Sequence, residues 1–253
     1  MKLDFLMRES CKKYSKAATF SPFFRNFVPN MKRLLEVCTG SLASVMAATE
    51  GGAERIELCS ALSLDGLTPS IGLLRQVRSM YPQLRIHVLI RSREGDFVYN
   101  REDLDTMLLD IREALPYADG IVCGALTPEG RIDTAALREM VEAAAGKPFT
   151  FHRAFDRCTD PQEALEAIIE AGCARILTSG LQPTAEAGIP LLRQLNEQAS
   201  GRIIIMPGGG VNIQNARLIL DQTGCREIHG SCSAGSGVTA AETVSRVKAI
   251  VCG

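Results

Sequence analysis

Two short stretches of this chain carry a carboxylate and a thiol at the same spacing, a combination suited to metal ligation or acid–base chemistry. Glu36 and Cys38 lie in LLEVC, and Glu57 and Cys59 lie in RIELC. Alternate side chains of a β-strand share a face, so each carboxylate points to the same side as its thiol. If the two stretches are neighbouring parallel strands about 4.8 Å apart, the pairs lie at equivalent depths and the two thiols can approach each other.

Other residues that could do chemistry follow further apolar runs. His152, Asp156 and His229 are candidate proton carriers. Arg91 and Arg153 are candidate clamps for an anion, because a guanidinium matches carboxylate and phosphate groups. A histidine at a strand end is also often a hydrogen-bonded structural residue, and that alternative stays open for each of them.

A glycine-rich segment near the end of the chain is a possible anion site. Gly208, Gly209 and Gly210 in MPGGG allow a ligand to approach the backbone closely, and Ser231 lies in the later segment HGS. Many parallel barrels bind phosphate at such loops, after their seventh and eighth strands. The alternative for the glycines is a tight turn into the next helix.

Each of these groups lies at the end of one of eight short apolar runs that recur from Met31 onward. The runs are too short for helices and too continuously apolar for half-exposed strands, which indicates buried parallel strands. They are LLEVC (34–38), RIELC (55–59), IHVLIR (86–91), GIVCG (120–124), FTFHR (149–153), RILTSG (175–180), RIIIMPGGG (202–210) and REIHGS (226–231).

Segments with helical periodicity separate the runs. One example is DPQEALEAIIEAG, which opens with Asp160 and Pro161 and closes at Gly172. Eight strand–helix units within about 220 residues predict an α/β fold, a TIM (β/α)8 barrel in a single domain over residues 31–253. In such a barrel the polar strand ends meet at one mouth, where catalytic and binding residues lie.

The composition restricts the classes of function. The chain has 253 residues, a net charge of −1 and nine cysteines without a CxxC pair. An odd cysteine number without a secretory signal indicates a reducing, cytoplasmic location. We expect no nucleic-acid partner and no membrane span. Residues 1–30 carry six basic and two acidic residues without a clean period, and we expect a disordered basic N-terminal extension.

Nine ordered motifs between Met31 and Ser231 resemble the CutC copper homeostasis proteins. The resemblance implies a TIM barrel, a cytoplasmic homo-oligomer (dimer or tetramer), and copper handling with Cu(I) held by Cys38 and Cys59. IRSREGDF departs from the usual IRPRGGDF of that family at Ser92 and Glu94. The motifs are EVC (36–38), GGAERIELC (51–59), GLTPS (66–70), GDFVY (95–99), GALT (124–127), TFHRAFD (150–156), ILTSG (176–180), MPGGG (206–210) and HGS (229–231).

Copper as a cofactor or cargo has a chemical basis beside the resemblance, because soft thiolates select Cu(I). The alternative is that Cys38 and Cys59 are small buried hydrophobic residues, as free cysteines often are. Buried carboxylates are costly unless they are paired, so we expect Glu36 and Glu57 to pair with an arginine such as Arg91 or Arg153.

A second hypothesis is an enzyme that acts on a small anionic or phosphorylated metabolite at the same mouth. Every lysine of the chain lies away from the carboxyl ends of the predicted strands, which disfavours Schiff-base chemistry. Catalysis would then rest on proton transfer by Glu36, Glu57 or His152, with an anion held by the glycine loop. The sequence leaves open whether the protein is an enzyme.

Overall fold

The computed structural model describes residues 33–233 and 238–253, and within them strands and helices alternate eight times. The predicted extension over residues 1–30 lies outside the described residues. The strands are β1 (Leu34–Thr39), β2 (Arg55–Leu58), β3 (Arg85–Leu89), β4 (Gly120–Cys123), β5 (Phe149–Phe151), β6 (Arg175–Thr178), β7 (Ile204–Pro207) and β8 (Glu227–Gly230).

The helices follow the strands and cover the outside of the sheet. Two short 3-10 helices, Leu62–Leu64 and Arg153–Arg157, lie in the loops after β2 and β5. None of the helices in the described residues has the length and apolar character that crossing a lipid bilayer requires. The α-helices are α1 (Leu42–Glu50), α2 (Ile71–Met80), α3 (Arg101–Ala114), α4 (Thr134–Ala143), α5 (Pro161–Glu170), α6 (Ile189–Ala199), α7 (Ala216–Thr223) and α8 (Ala241–Cys252).

Helix starts follow the capping signals in the sequence. Asp160 caps α5 by accepting hydrogen bonds from the backbone amides of Gln162 and Glu163, and Pro161 occupies the first turn. The Ser41 side chain accepts from the amide of Ser44 at the start of α1. These caps fix where each helix turns back along the barrel.

The eight strands form one parallel sheet in the order β7-β6-β5-β4-β3-β2-β1-β8. Each strand from β1 to β7 pairs with its neighbour in sequence, and β1 also pairs with β8. The described strands β7 and β8 share no backbone ladder, although a Cβ built on Gly208 would lie 3.3 Å from the Cβ of His229. The barrel is therefore nearly closed, and the predicted TIM barrel is confirmed.

The register between β1 and β2 differs from the sequence-based prediction. Cys38 lies opposite Glu57, and Glu36 lies opposite Arg55, so the two carboxylate–thiol pairs are offset by two residues. The predicted equivalence in depth is wrong, because strands that close into a barrel must tilt and stagger relative to one another. One consequence is that a thiol of β1 and a carboxylate of β2 share a level of the lumen.

The apolar core lies mainly between the sheet and the helices. Phe149, Ile56 and Ile86 on the strands are buried there together with Met107 and Leu137 on the helices. The lumen is different, since it contains buried acidic, basic and histidine side chains from β1, β2, β3 and β8, and the partly buried Arg175 from β6. Most TIM barrels fill this space with aliphatic layers, so the polar lumen distinguishes this barrel from the usual arrangement.

Candidate active site and metal site

The lower part of the lumen holds a buried ion network around Glu227. Arg175 donates to both carboxylate oxygens of Glu227, at 2.7 and 3.2 Å. Arg55 donates to the same carboxylate, and its Nη2 lies 3.3 Å from Sδ of Met206. Arg55 is only 1% exposed, so its charge depends on these carboxylate partners for compensation.

Glu36 occupies the middle of the lumen and has three charged or polar neighbours. Its Oε2 lies 2.6 Å from Nε of Arg55 and 3.3 Å from Nδ1 of His87, while its Oε1 lies 2.9 Å from Nδ1 of His229. The prediction that Arg91 or Arg153 would neutralise this carboxylate is wrong. The guanidinium comes from Arg55 on the adjacent strand, whose register places it directly opposite Glu36.

Cys38, Cys59 and Glu57 form the top of this polar column. The two Sγ atoms are 3.8 Å apart, and Cys38 Sγ lies 3.7 Å from Oε1 of Glu57. The Cys59 thiol also contacts the carbonyl oxygen of Thr39 at 3.4 Å. Leu89 and Val122 pack against the two cysteines as a small apolar cluster. The thiols thus approach each other, as the sequence predicted.

The titratable groups at the top of the column favour protonated forms. The hydrogen bond with Cys59 and burial raise the pKa of the Cys38 thiol well above its usual value, and the neighbouring His229 only partly counters them. Burial also raises the pKa of the Glu57 carboxyl, despite the charge of His229. Oε2 of Glu57 is buried and has no hydrogen-bond partner among the described residues.

Glu36 and His229 below them favour their charged forms. Burial by itself would raise the pKa of Glu36, but Arg55 and the two imidazoles outweigh it and hold that pKa well below its usual range. Burial likewise disfavours a charged His229, yet Glu57, Cys38 and Glu36 raise its pKa well above its usual value. Because the unfolded pKa of histidine is about 6.5, this charge stabilises the fold fully below about pH 6.5. The stabilisation is lost as the pH rises through the folded pKa.

A cavity of about 870 Å³ opens above the thiols at the carboxyl ends of the strands. Its floor includes Cys38, Glu57 and His229, and its walls come from the loops after β2, β3, β4, β5 and β8. The structure therefore brings most of the predicted site residues to one mouth. Arg91, His152, Arg153, Asp156 and Ser231 also line it.

His152 lies directly after β5 and caps the following 3-10 helix. Its Nδ1 accepts a hydrogen bond from the amide of Ala154 at 3.3 Å, and its ring packs edge-on against Phe97 at 4.9 Å. Burial and the nearby charge of Arg91 lower the pKa of His152 to about 3. The neutral ring therefore carries its proton on Nε2, because an accepting Nδ1 has no proton.

These assignments give a direct prediction for two of the three histidines of the chain. In a ¹⁵N-detected NMR titration, His229 is expected to be protonated on both ring nitrogens at pH 7, because Glu36 and Glu57 surround it. His152 is expected to remain the neutral Nε2–H tautomer down to about pH 4, since burial opposes its charging. Single-histidine variants assign the signals, and a neutral His229 at pH 7 would contradict the charge pattern of the lumen.

The arginines and Asp156 at the mouth are engaged mainly with neighbouring loops. Arg91 donates to the carbonyl oxygens of Leu64, Gly66 and Gly95 at 2.8–3.1 Å. Arg153 donates to Asp156 at 2.8 Å through Nε. The Arg91 contacts join the loops after β2 and β3, while the Arg153–Asp156 pair lies within the loop after β5.

Asp156 is saturated with hydrogen-bond donors. It accepts from the Thr178 hydroxyl at 2.5 Å, from the amide and hydroxyl of Ser179 at 3.0 Å, and from the amide of Leu181 at 3.3 Å. With Arg153 added, few lone pairs remain for a proton-transfer role. The geometry makes Asp156 the anchor that ties the loop after β6 to the loop after β5.

The glycine loop lies beside the mouth rather than in it. Ser231 lines the cavity, whereas Gly208, Gly209 and Gly210 are not among its lining residues. A Cβ on Gly208 would lie 2.5 Å from Cδ1 of Leu177, so this glycine is needed for packing between β6 and β8. Gly209 and Gly210 have φ values of +101° and +74°, which other residues rarely adopt.

Sequence reasoning missed Arg55 and His87, which contact Glu36 in the lumen. Both alternate with recognised inward-facing residues, Arg55 with Glu57 and His87 with Leu89 and Arg91, and this period of two was the available signal. Gly120 gives a second signal, because a glycine inside a strand often marks the close approach of another group. Here a Cβ on Gly120 would lie 2.7 Å from the His87 ring.

The fold and the site define a class of protein: a TIM barrel with two adjacent buried thiols and a carboxylate at its mouth, above a charged lumen. Within the described residues, Cys38, Glu57 and Cys59 form one group of potential metal-ligating atoms that all lie within 4.8 Å of one another. Glu36, Glu57 and His229 form another.

This chain belongs to the CutC family, whose sequence model matches residues 33–234. A CutC family protein of Bacteroides thetaiotaomicron is 51% identical over 201 residues, which is 79% of this chain and 81% of that protein. A human relative named copper homeostasis protein cutC homolog is 47% identical over 204 residues, covering 80% of this chain and 74% of the relative. The crystal structure of CutC from Streptococcus agalactiae matches with a TM-score of 0.75 at 33% identity, over 79% of this chain and 98% of that one.

Proposed function

We propose that this protein acts in copper homeostasis by binding Cu(I) at the barrel mouth through Cys38 and Cys59. The observation that carries the proposal is the 3.8 Å separation of two buried sulfur atoms, of which that of Cys38 belongs to a residue lining an open cavity. The names of the human and mouse relatives, copper homeostasis protein cutC homolog, support the same function.

The donor set fits Cu(I) better than a harder cation. Two soft sulfur ligands and a low coordination number suit Cu(I), while Mg²⁺ and Ca²⁺ need several oxygen ligands. The unpartnered Oε2 of Glu57 offers one carboxylate oxygen next to the sulfurs. Leu89 and Val122 shield the thiols from water, which favours a soft, weakly hydrated ion over a hydrated one.

Binding is coupled to proton release in this proposal. The ligand form of cysteine is the thiolate, and the raised pKa of Cys38 keeps that residue a thiol before the metal arrives. Cu(I) must therefore displace the Cys38 proton. His229, which lies among Glu36, Glu57 and Cys38, compensates part of the negative charge that the thiolate introduces.

An anaerobic competition titration with a chromogenic Cu(I) chelator tests this proposal. We expect one tight site per chain, with an affinity that rises between pH 6 and 8 by about 10-fold per pH unit for each proton that the metal displaces. X-ray absorption should show two sulfur scatterers on the bound copper. An affinity independent of pH, or a first shell without sulfur, would contradict the proposed ligands.

A second candidate function is acid–base catalysis on a small anionic or phosphorylated metabolite. The observation in its favour is the pair Glu57 and His229 on the cavity floor. Burial raises the pKa of the Glu57 carboxyl, and the neighbouring acidic groups raise the pKa of His229 despite its burial. Such perturbed pairs concentrate at catalytic sites. Gly208, Gly209, Gly210 and Ser231 remain the proposed anion-binding positions of this candidate.

We further propose that the protein works in the reducing cytoplasm as a homo-oligomer, a dimer or tetramer. Eight cysteines of the described chain are free, and all but Cys252 are buried, which suits a reducing compartment. Copper or a small anion is the proposed partner, with neither nucleic acid nor membrane involved. Size-exclusion chromatography with light scattering tests the oligomer.

A further inference from the structure

The mouth cavity is much larger than a metal site needs. Its volume of about 870 Å³ falls in the range of cavities that enclose organic molecules, roughly 300–1,000 Å³. One part of its wall is apolar, with Leu62, Phe97, Leu126 and Leu177. Of the two thiols only Cys38 lines this space, so most of the volume is available to an organic ligand.

His152, one of the residues that line this cavity, has a buried ring nitrogen without a hydrogen-bond partner among the described residues. His152 is 5% exposed, and the unpartnered nitrogen is Nε2. Since Nδ1 accepts from the amide of Ala154, Nε2 carries the ring proton. An unsatisfied buried donor is costly and uncommon in a folded protein, so it indicates a missing acceptor.

A second candidate ligand contact is Arg157, the last residue of the 3-10 helix that His152 caps. Arg157 lines the cavity and is exposed, and it makes no side-chain hydrogen bond or ion pair within the described part of the chain. Its neighbours differ in this respect, since Arg153 and Asp156 are paired with each other. Asp65, on the loop after β2, also lines the mouth and makes no side-chain ion pair with another described residue, so its charge favours an anionic ligand near Arg157.

We propose that the mouth binds a small organic anion with two recognition points. A carbonyl or hydroxyl oxygen of the ligand accepts the hydrogen bond of His152 Nε2–H, and its carboxylate or phosphate lies at Arg157. The apolar wall around Phe97 and Leu126 holds the carbon skeleton. This inference rests on the second candidate function and deepens it by placing the anion at Arg157 rather than at the glycine loop, and it is independent of copper binding.

The neutral state of His152 suits this role. Burial and Arg91 hold its pKa at about 3, so the ring remains a neutral donor throughout the physiological range. A neutral donor hydrogen-bonds a carbonyl oxygen without transferring its proton, and the anionic charge is left to the exposed arginine. The ligand is thereby oriented, with its oxygen acceptor deep and its charged end at the rim.

Isothermal titration with matched probes tests the proposal. The probes are 2-oxobutyrate, which has both features, butyrate, which lacks the carbonyl, and methyl 2-oxobutyrate, which lacks the charge. Dihydroxyacetone phosphate carries the phosphate alternative. We expect 2-oxobutyrate or dihydroxyacetone phosphate to bind. If 2-oxobutyrate binds, butyrate and methyl 2-oxobutyrate should each bind about 10-fold more weakly than it does.

The variants separate the two recognition points. His152→Phe keeps a ring against Phe97 but removes the donor, and Arg157→Gln removes the exposed charge. Each is expected to weaken binding of the complete probe about 10-fold, with His152→Phe sparing butyrate and Arg157→Gln sparing the methyl ester. Arg138→Gln, an exposed arginine of α4 outside the cavity, is the matched control and should bind as the unaltered protein does.

Each result of this experiment decides between defined alternatives. Silence across all four probes, or equal losses in Arg138→Gln and Arg157→Gln, would overturn the ligand site. Because Arg157 is exposed, its variant is expected to fold even if His152→Phe does not, and melting curves identify such a failure. Probe binding without conversion, followed by ¹H NMR, would instead count against the catalytic candidate and leave the ligand site standing.

Discussion

Replacement of Cys38 or Cys59 by serine is expected to lower the Cu(I) affinity by more than about 100-fold. Even the loss of an outer-shell partner typically costs 10–100-fold in metal affinity, and each of these variants removes a sulfur ligand itself. Serine keeps the approximate size of the side chain, so the barrel should fold. The measurement is an anaerobic chelator competition at pH 7.5, with copper counted per chain.

Cys252→Ser is the matched control for this experiment. Cys252 lies in the last turn of α8 and is the exposed cysteine of the described set. It is the residue that would bind copper adventitiously, so its replacement should leave the tight site unchanged. Full affinity in both Cys38→Ser and Cys59→Ser would eliminate the proposed site. A loss in Cys252→Ser alone would assign the copper to the surface.

The sequence was sufficient for the fold and for the location of the mouth. Buried parallel strands are continuous apolar runs, and their flanking caps at Ser41 and Asp160 mark where each helix starts. Eight repeats of that pattern have few architectural solutions, and polar residues at strand ends must then converge. The approach of Cys38 and Cys59 followed from these two facts.

The partners inside the lumen were less accessible from sequence. They depend on the stagger between strands, and this offset is a property of barrel closure that a single strand does not encode. A two-residue offset placed Arg55 opposite Glu36, so the neighbouring strand supplied the charge that we expected from Arg91 or Arg153. The thiols still met, because diagonal neighbours on adjacent strands remain within side-chain reach.

The loop after β5 shows a second limit of sequence reasoning. Within a regular strand, His152 and Arg153 would point to opposite faces, and only one could reach the lumen. The strand ends at Phe151, and the 3-10 helix that follows brings both side chains to the cavity. Where a strand ends depends on tertiary packing, and the unpaired Nε2 of His152 becomes visible only in three dimensions.

The largest expected effect on stability comes from Arg55→Met. Arg55 contacts Glu36 and Glu227 and is 1% exposed, so its loss leaves buried carboxylates without compensation. Breaking a buried ion pair from one side costs about 3–5 kcal/mol. For a domain of this size that corresponds to a decrease in Tm of roughly 10 °C, measurable by calorimetry.

The pH dependence identifies the cause of this destabilisation. In the unaltered protein the pKa of Glu36 is depressed, so its ion pairing stabilises the fold above the unfolded pKa of about 4.3 and is lost as the pH falls through the folded pKa. Without Arg55, burial raises the pKa of Glu36, and protonation relieves the isolated charge. The difference in unfolding free energy between the unaltered protein and Arg55→Met should therefore become smaller as the pH falls. A constant difference would point to lost packing beside Met206 instead.

Two further variants test whether the unpaired buried charge causes the loss of stability. Glu36→Gln in the Arg55→Met background removes one of the stranded charges and should recover part of the stability, since contacting residues are not additive. Arg101→Met is the matched control, because Arg101 pairs with Glu139 on the surface and its Tm should not change measurably. If Arg55→Met were as stable as this control, the buried column of charges would not be what holds Glu57 and Cys38 in place at the mouth.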